Sequence, residues 1–163
     1  MSVGDINSTD KGSGARFNTG KAPMELIPLK IIALSHINAV AHKVEERRAA
    51  DALFVLGRWQ ETGDGLFLYA TLRTLGMREG WPECAHAFDY GRTKYAEWNW
   101  AKGMAWSIPM ACAARHLIAI IEGETNDPES GLPHRGHVFC NIVMLLTYAK
   151  IFPEGDDRPR CLS

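Results

Sequence analysis

A chain of 163 residues has room for one domain around one sizeable core and leaves little for a second. With 46% apolar and 23% charged residues it has the composition of a globular protein, and its formal charge of −1 lacks the basic excess of a general nucleic-acid binder. A charged small molecule stays within reach, because binding it needs only a local cluster of basic groups. The apolar runs Leu117–Ile121 and Ile142–Leu146 are too short to span a bilayer, and no secretory leader is expected from the first residues. Cysteines at 84, 112, 140 and 161 form no CxxC pair, which argues against a thiolate zinc site and fits free thiols in a reducing cytoplasm.

Residues 1–22 are polar and glycine-rich, bury little, and read as a flexible arm. Pro23 and Pro28 bracket the change to a helical pattern. From Leu29 to about Leu56 the apolar positions Ile32, Leu34, Ile37, Val40, Val44, Leu53 and Leu56 recur at helical intervals. Gly63-Asp64-Gly65 breaks the pattern, and a second helix from Leu66 to about Leu75 stops at Gly76. Gly80-Trp81-Pro82 reads as a turn before a third helix over 83–96. Trp98 to Met104 reads as a connection, and Pro109 suits the first turn of the next helix. That helix is expected to reach about Glu124. Thr125 to Pro133 carries loop chemistry, and a last helix spans about 134–151. No convincing strand alternation occurs, so the expectation is an all-α, single-domain helical bundle over residues 23–155, followed by a tail over 156–163.

The chemistry gathers in the C-terminal half. On one continuous helix, His116 and Glu124 are two i+4 steps apart and share a face, which Asp127 would extend by a turn. His134, His137 and Asn141 share a face of the next helix. Two antiparallel helices joined by a short loop would bring these faces together around a divalent cation. Carboxylates suit Mg²⁺ or Mn²⁺, and imidazole adds affinity for Mn²⁺, Co²⁺ or Zn²⁺. The plainer alternative is that Asp127, Glu129 and His134 cap helix ends. Upstream, Lys94 is a candidate phosphate contact and Trp98 or Trp100 a stacking surface, although each tryptophan also suits a core. Arg115 is either a phosphate ligand or a salt-bridge partner. The run Lys43-Val44-Glu45-Glu46-Arg47-Arg48 resembles the EExxE magnesium motif of MazG-type pyrophosphohydrolases, but its fifth position is Ala49 and its mixed charge suits a solvated face.

Three strings resemble the phage dATP/dGTP diphosphohydrolase family, which includes the MazG-like enzymes called MazZ. The first is Arg16-Phe17-Asn18-Thr19-Gly20-Lys21 followed by Leu26-Ile27-Pro28. The second is Gly91-x-x-Lys94-Tyr95-x-x-x-Asn99-Trp100. The third and most specific is Arg115-His116 with Gly123-Glu124-x-x-Asp127-Pro128-Glu129-Ser130-Gly131-Leu132-x-His134-x-x-His137-x-x-x-Asn141. The resemblance implies an all-α nucleoside triphosphate pyrophosphohydrolase fold, a homo-oligomer (dimer or tetramer), and a cytoplasmic setting in the infected host cell. It implies cleavage of a purine deoxynucleoside triphosphate, dGTP or dATP, to the monophosphate and pyrophosphate, with Mg²⁺, Mn²⁺ or Co²⁺ as cofactor. The corresponding site has Glu124, Asp127 and His137 as catalytic residues, and His116, Glu124, Asp127, His137 and Asn141 around the metal. Lys94, Tyr95, Asn99, Trp100 and Arg115 would meet the substrate. In the family a short helix separates the Leu-Ile-Pro and Gly-x-x-Lys-Tyr strings, whereas here about sixty residues intervene. Residues 45–80 therefore read as an inserted helical hairpin. The contrasting function is a non-catalytic phage protein of the same fold that binds a nucleotide or a protein partner.

Overall fold

The computed structural model of the chain describes residues 2–163. It contains six α-helices: α1 (Leu29–Ile37), α2 (Val44–Thr62), α3 (Leu66–Leu75), α4 (Met77–Tyr95), α5 (Ser107–Ile121) and α6 (His134–Ile151). Strand content among the described residues is a two-residue antiparallel pair, β1 (Ser2–Val3) with β2 (Arg16–Phe17), and one isolated bridge. The expected all-α single-domain bundle is the observed architecture. No helix among the described residues is long and apolar enough to cross a membrane.

Helix α5 is the centre of the bundle. It is apolar on most of its circumference, with Met110, Ala113, Ala114 and Leu117 fully buried, so it packs against α2 on one side and α6 on the other. Helix α6 in turn carries α4, with Phe139, Ile142, Leu145 and Tyr148 buried. Helices α2 and α3 supply Leu53, Leu56, Trp59, Leu68 and Leu72 to the same core, and Trp59 stacks on Trp106 at 6.2 Å. Residues 45–80 thus form a substantial part of the hydrophobic interior.

The helix boundaries differ from the sequence expectations at three places. The stretch 29–56 is two helices, not one, with a turn over 38–43 where Lys43 is extended. Folding back lets Leu29 and Ala33 become fully buried against α2, which a continuous helix would hold apart from them. The second difference is at Gly80-Trp81-Pro82, which lies inside α4 and makes no turn. Pro82 removes one backbone donor near the start of the helix. Gly80 is there for proximity: a Cβ on it would collide with the Phe139 ring of α6, and Trp81 packs edge-on to the same ring at 5.3 Å. The third difference concerns α5, which stops at Ile121 rather than near Glu124. Gly123 adopts φ +97°, its N–H donates to the Ile120 carbonyl, and the Glu124 N–H donates to the Ala119 carbonyl. That paired arrangement is the glycine-terminated helix end known as the Schellman motif.

The segments at the two ends are tied to the bundle. Ala15 is buried, and its N–H donates to Asn99 Oδ1 at 2.8 Å. Near the other end Arg158 is buried over the Trp59 ring and paired with Asp156 at 2.7 Å.

Candidate active site

A cavity of about 1080 Å³ opens between α4, α5, α6, the 122–133 loop and the arm. Nine of the sequence-nominated residues reach it: Lys94, Tyr95, Trp100, Arg115, His116, Glu124, Asp127, His137 and Asn141 all contribute to its wall. Asn99 does not. It is buried in a 3-10 turn and spends its side-chain oxygen on the arm, so its position in the motif is explained by tethering rather than by substrate contact.

The loop after α5 determines how the acidic residues enter. Because α5 ends at Ile121, Glu124 and Asp127 are not carried on the His116 face by helical repeat. The loop folds on itself instead: Asp127 N–H donates to the Leu132 carbonyl at 2.8 Å, Gly131 N–H donates to the Asp127 carbonyl at 2.7 Å, and Asn126 bridges Pro133. This closed turn points the Asp127 carboxylate inward, where it accepts from Ser130 N–H at 2.9 Å and Ser130 Oγ–H at 2.8 Å. Burial raises the Asp127 pKa, but the Ser130 hydrogen bonds and the nearby imidazoles outweigh it and hold the carboxyl below its ordinary value.

Three groups converge closely enough to hold one cation. Ligand atoms from His116, Asp127 and His134 all lie within 4.8 Å of one another. His116 Nδ1 and His134 Nδ1 are 2.9 Å apart. Two imidazole lone pairs cannot face each other at that distance without a positive species between them, either a proton on one ring or a metal ion. The His134 ring is oriented by Glu124, whose Oε2 accepts from Nε2–H at 3.1 Å and so leaves the Nδ1 lone pair turned to the cluster. The donor set of two imidazoles and one depressed carboxylate fits Mn²⁺, Co²⁺ or Zn²⁺ chemistry.

This set differs from the sequence-derived one. His134, the first residue of α6 and 3% exposed, replaces Glu124 and His137 as an inner group. Glu124 stands behind His134. His137 is 3.8 Å from Asp127 with Ser130 between them, its Nε2 lying 2.7 Å from Ser130 Oγ, and its ring is stacked on His116 at 4.6 Å. Asn141 is outside the set too, because its Oδ1 accepts from Arg16 Nη2 at 2.8 Å and its Nδ2 donates to the His137 carbonyl. The Glu45-Glu46 pair lies away from the large cavity, on a small cleft shared with Glu83, Glu124 and Arg135.

Positive charge surrounds the cluster. Lys94 reaches Glu129 at 2.6 Å and lies over the rings of Phe17, Tyr90 and Tyr95 at 5.6–5.9 Å. Burial pulls its pKa down, but Glu129 and the tyrosines outweigh this and hold it above the ordinary lysine value. Arg115 donates to the Ala22 carbonyl at 2.9 Å and anchors the arm beside α5. Two further cations on the wall, Arg16 and Lys21, come from that arm. Arg16 also faces Cys112 Sγ at 3.9 Å. Burial pushes that thiol up, and Arg16 with His116 brings it down to about 5. Trp100 packs between Phe88 and Tyr148 and is mostly a core residue, whereas Trp98 is 66% exposed on the wall. What sequence spacing underrated is the arm, since nothing in a polar, glycine-rich segment signals which wall it will line.

His137 makes the site sensitive to acid. Burial and the neighbouring His116 lower its pKa to about 4, against the pull of Asp127. The unfolded chain therefore binds more protons than the folded one between about pH 6.5 and pH 4, so this residue makes stability rise with pH across that window. Between pH 7 and pH 5 the protein is expected to lose about 2 kcal/mol that a His137→Asn variant keeps. Urea midpoints at the two pH values measure it, and equal losses in both proteins would dismiss His137 as the cause.

The fold and cavity define a single-domain helical protein whose pocket combines a carboxylate–imidazole cluster with a ring of lysine and arginine side chains. The family model described as dATP/dGTP diphosphohydrolase, N-terminal, matches residues 59–158, which is 100 of the 163 residues. The chain belongs to the dATP/dGTP diphosphohydrolase family. No curated protein and no solved structure matches it.

Proposed function

We propose that this protein hydrolyses a purine deoxynucleoside triphosphate, dGTP or dATP, to the monophosphate and pyrophosphate with the help of a divalent cation. The observation that carries this reading is one cavity wall that presents His116 and Asp127, with the buried His134 converging on both, beside Lys94, Arg115, Arg16 and Lys21. Those three histidine and aspartate residues would hold the cation, which when bound would supply positive charge to the phosphate oxygens and lower the pKa of a bound water. Lys94 and Arg115, joined by the arm cations, neutralise the rest of the polyphosphate, because one carboxylate-bound ion cannot balance it alone. Tyr95 and Trp98 offer ring faces to the base. Neutral His137 is placed to accept the proton that the attacking water releases.

The same reading includes a homo-oligomer, dimer or tetramer, and Leu26, Ile31 and Leu34 form an exposed apolar face on and before α1 that a second copy can cover. It also includes the cytoplasm of an infected cell, where four free thiols are chemically at ease.

Incubation with dGTP and dATP in the presence of Mg²⁺, Mn²⁺ or Co²⁺, followed by separation of products, tests it. The expected products are the deoxynucleoside monophosphate and pyrophosphate in equal amounts. Orthophosphate release contradicts the proposed bond cleavage. No turnover with any of the three ions, together with nucleotide binding, makes this a binding protein.

A further inference from the structure

The hydroxyl of Ser130 can make one donation and accept two hydrogen bonds, and all three positions are taken. Its Oγ–H donates to Asp127 Oδ2 at 2.8 Å, and the Leu132 N–H donates to the same oxygen atom, Ser130 Oγ, at 3.2 Å. One lone pair remains, and the atom beside it is His137 Nε2 at 2.7 Å. A carboxylate has no proton to give, so the Ser130 hydrogen is committed to Asp127 and is not free for His137. The contact with His137 is satisfied in one way: Nε2 carries the hydrogen and donates it to Ser130.

We propose that Ser130 is a positioning residue that holds His137 as the Nε2–H tautomer and thereby makes Nδ1 its only basic atom in the cavity. Packing supports the assignment, because the ring cannot turn over and take Nε2 away from Ser130 without breaking two contacts on the way. One face is stacked on His116 with planes 9° apart, and Tyr90 meets it edge-on at 6.4 Å. Glu124 does the same for His134 from the other side of the site, fixing Nε2–H and freeing Nδ1. The two loop residues Glu124 and Ser130 therefore set both α6 histidines in one tautomer. Neither would touch substrate.

The consequence for turnover rests on the function proposed above, but the tautomer is a property of the protein alone. It is read by long-range ¹H–¹⁵N correlation spectra of the imidazoles in the metal-free full-length protein at pH 7. The expected result is an Nε2–H pattern for His137 in the wild type, kept in Ser130→Thr and lost or averaged in Ser130→Ala. A wild-type His137 in the Nδ1–H form overturns the assignment, whether or not any variant folds. An unaltered Nε2–H pattern in a folded Ser130→Ala also overturns it, since the ring would then be held by packing. In the active enzyme, Ser130→Ala is expected to lower kcat by roughly 10- to 100-fold with KM little changed, the scale of losing a correctly presented general base. Activity absent from every form, with the tautomer as stated, would reject the hydrolase reading and leave this assignment standing.

Discussion

Asp127→Ala is expected to lower kcat on the order of a thousandfold, a loss of about 4 kcal/mol of transition-state stabilisation, while the far-ultraviolet circular dichroism stays that of the wild type. The reasoning starts from charge. Asp127 is the one carboxylate among the three groups that converge, and its removal leaves two neutral imidazoles to hold a divalent ion. The backbone of its loop is closed by bonds that do not use its side chain, so the turn itself should survive. Glu124→Ala is expected to behave differently. Its carboxylate orients His134 from behind, so the variant should bind the cation roughly 10- to 100-fold more weakly and recover turnover when cation is raised. Titrating Mn²⁺ against both variants distinguishes the roles. Near wild-type turnover in both would shift attention to Glu45 and Glu46 on the separate cleft.

Lys94→Ala is expected to raise KM for dGTP about 10- to 100-fold, the scale of one lost charge-assisted hydrogen bond, with a smaller change in kcat. Lys94 is held inside three aromatic rings, which hold the ammonium near the cavity before substrate arrives. Its present partner is Glu129, which is half-exposed and also faces Lys21 at 3.9 Å. Truncating Lys94 removes a cation and leaves that carboxylate with only the longer Lys21 contact against an incoming polyanion, so the two effects add. Glu129→Gln should move KM the other way, because it releases Lys94 without removing it. Steady-state kinetics on the four proteins, including Arg115→Ala, measure this. Unchanged KM in both Lys94→Ala and Arg115→Ala would assign the triphosphate to Arg16 and Lys21 on the arm.

Residue periodicity by itself determined the all-α class, because apolar positions recur every three to four residues and no segment alternates as a strand would. It also marked the last helix, which begins at His134 and ends at Ile151 because Pro133 and Pro153 bound a largely apolar run with no internal proline. Local chemistry of this kind acts over a few residues and is written in them. Motif spacing likewise marked Lys94, Tyr95, Arg115, His116, His137 and Asn141, which α4, α5 and α6 carry rigidly to one cavity wall.

Which of those side chains point at one another was decided only by tertiary structure. Gly123 ended α5 three residues before Glu124, and a helical repeat cannot be extended through a left-handed residue. Glu124 and Asp127 therefore entered by the closure of a loop, and that closure made His134 an inner group and Glu124 its support. Asn99 shows the same limit, as its oxygen serves the backbone of Ala15, 84 residues away. Gly80 and Pro82 suggest a turn because both residues break helices in isolation, whereas packing against Phe139 rewards a helix with no side chain at position 80. Long-range proximity has no signature in a local pattern. Its physical cause is the burial of Leu29, Trp59, Met110, Phe139 and Tyr148 in one interior, which brings the arm, the loop and three helices around the same cavity.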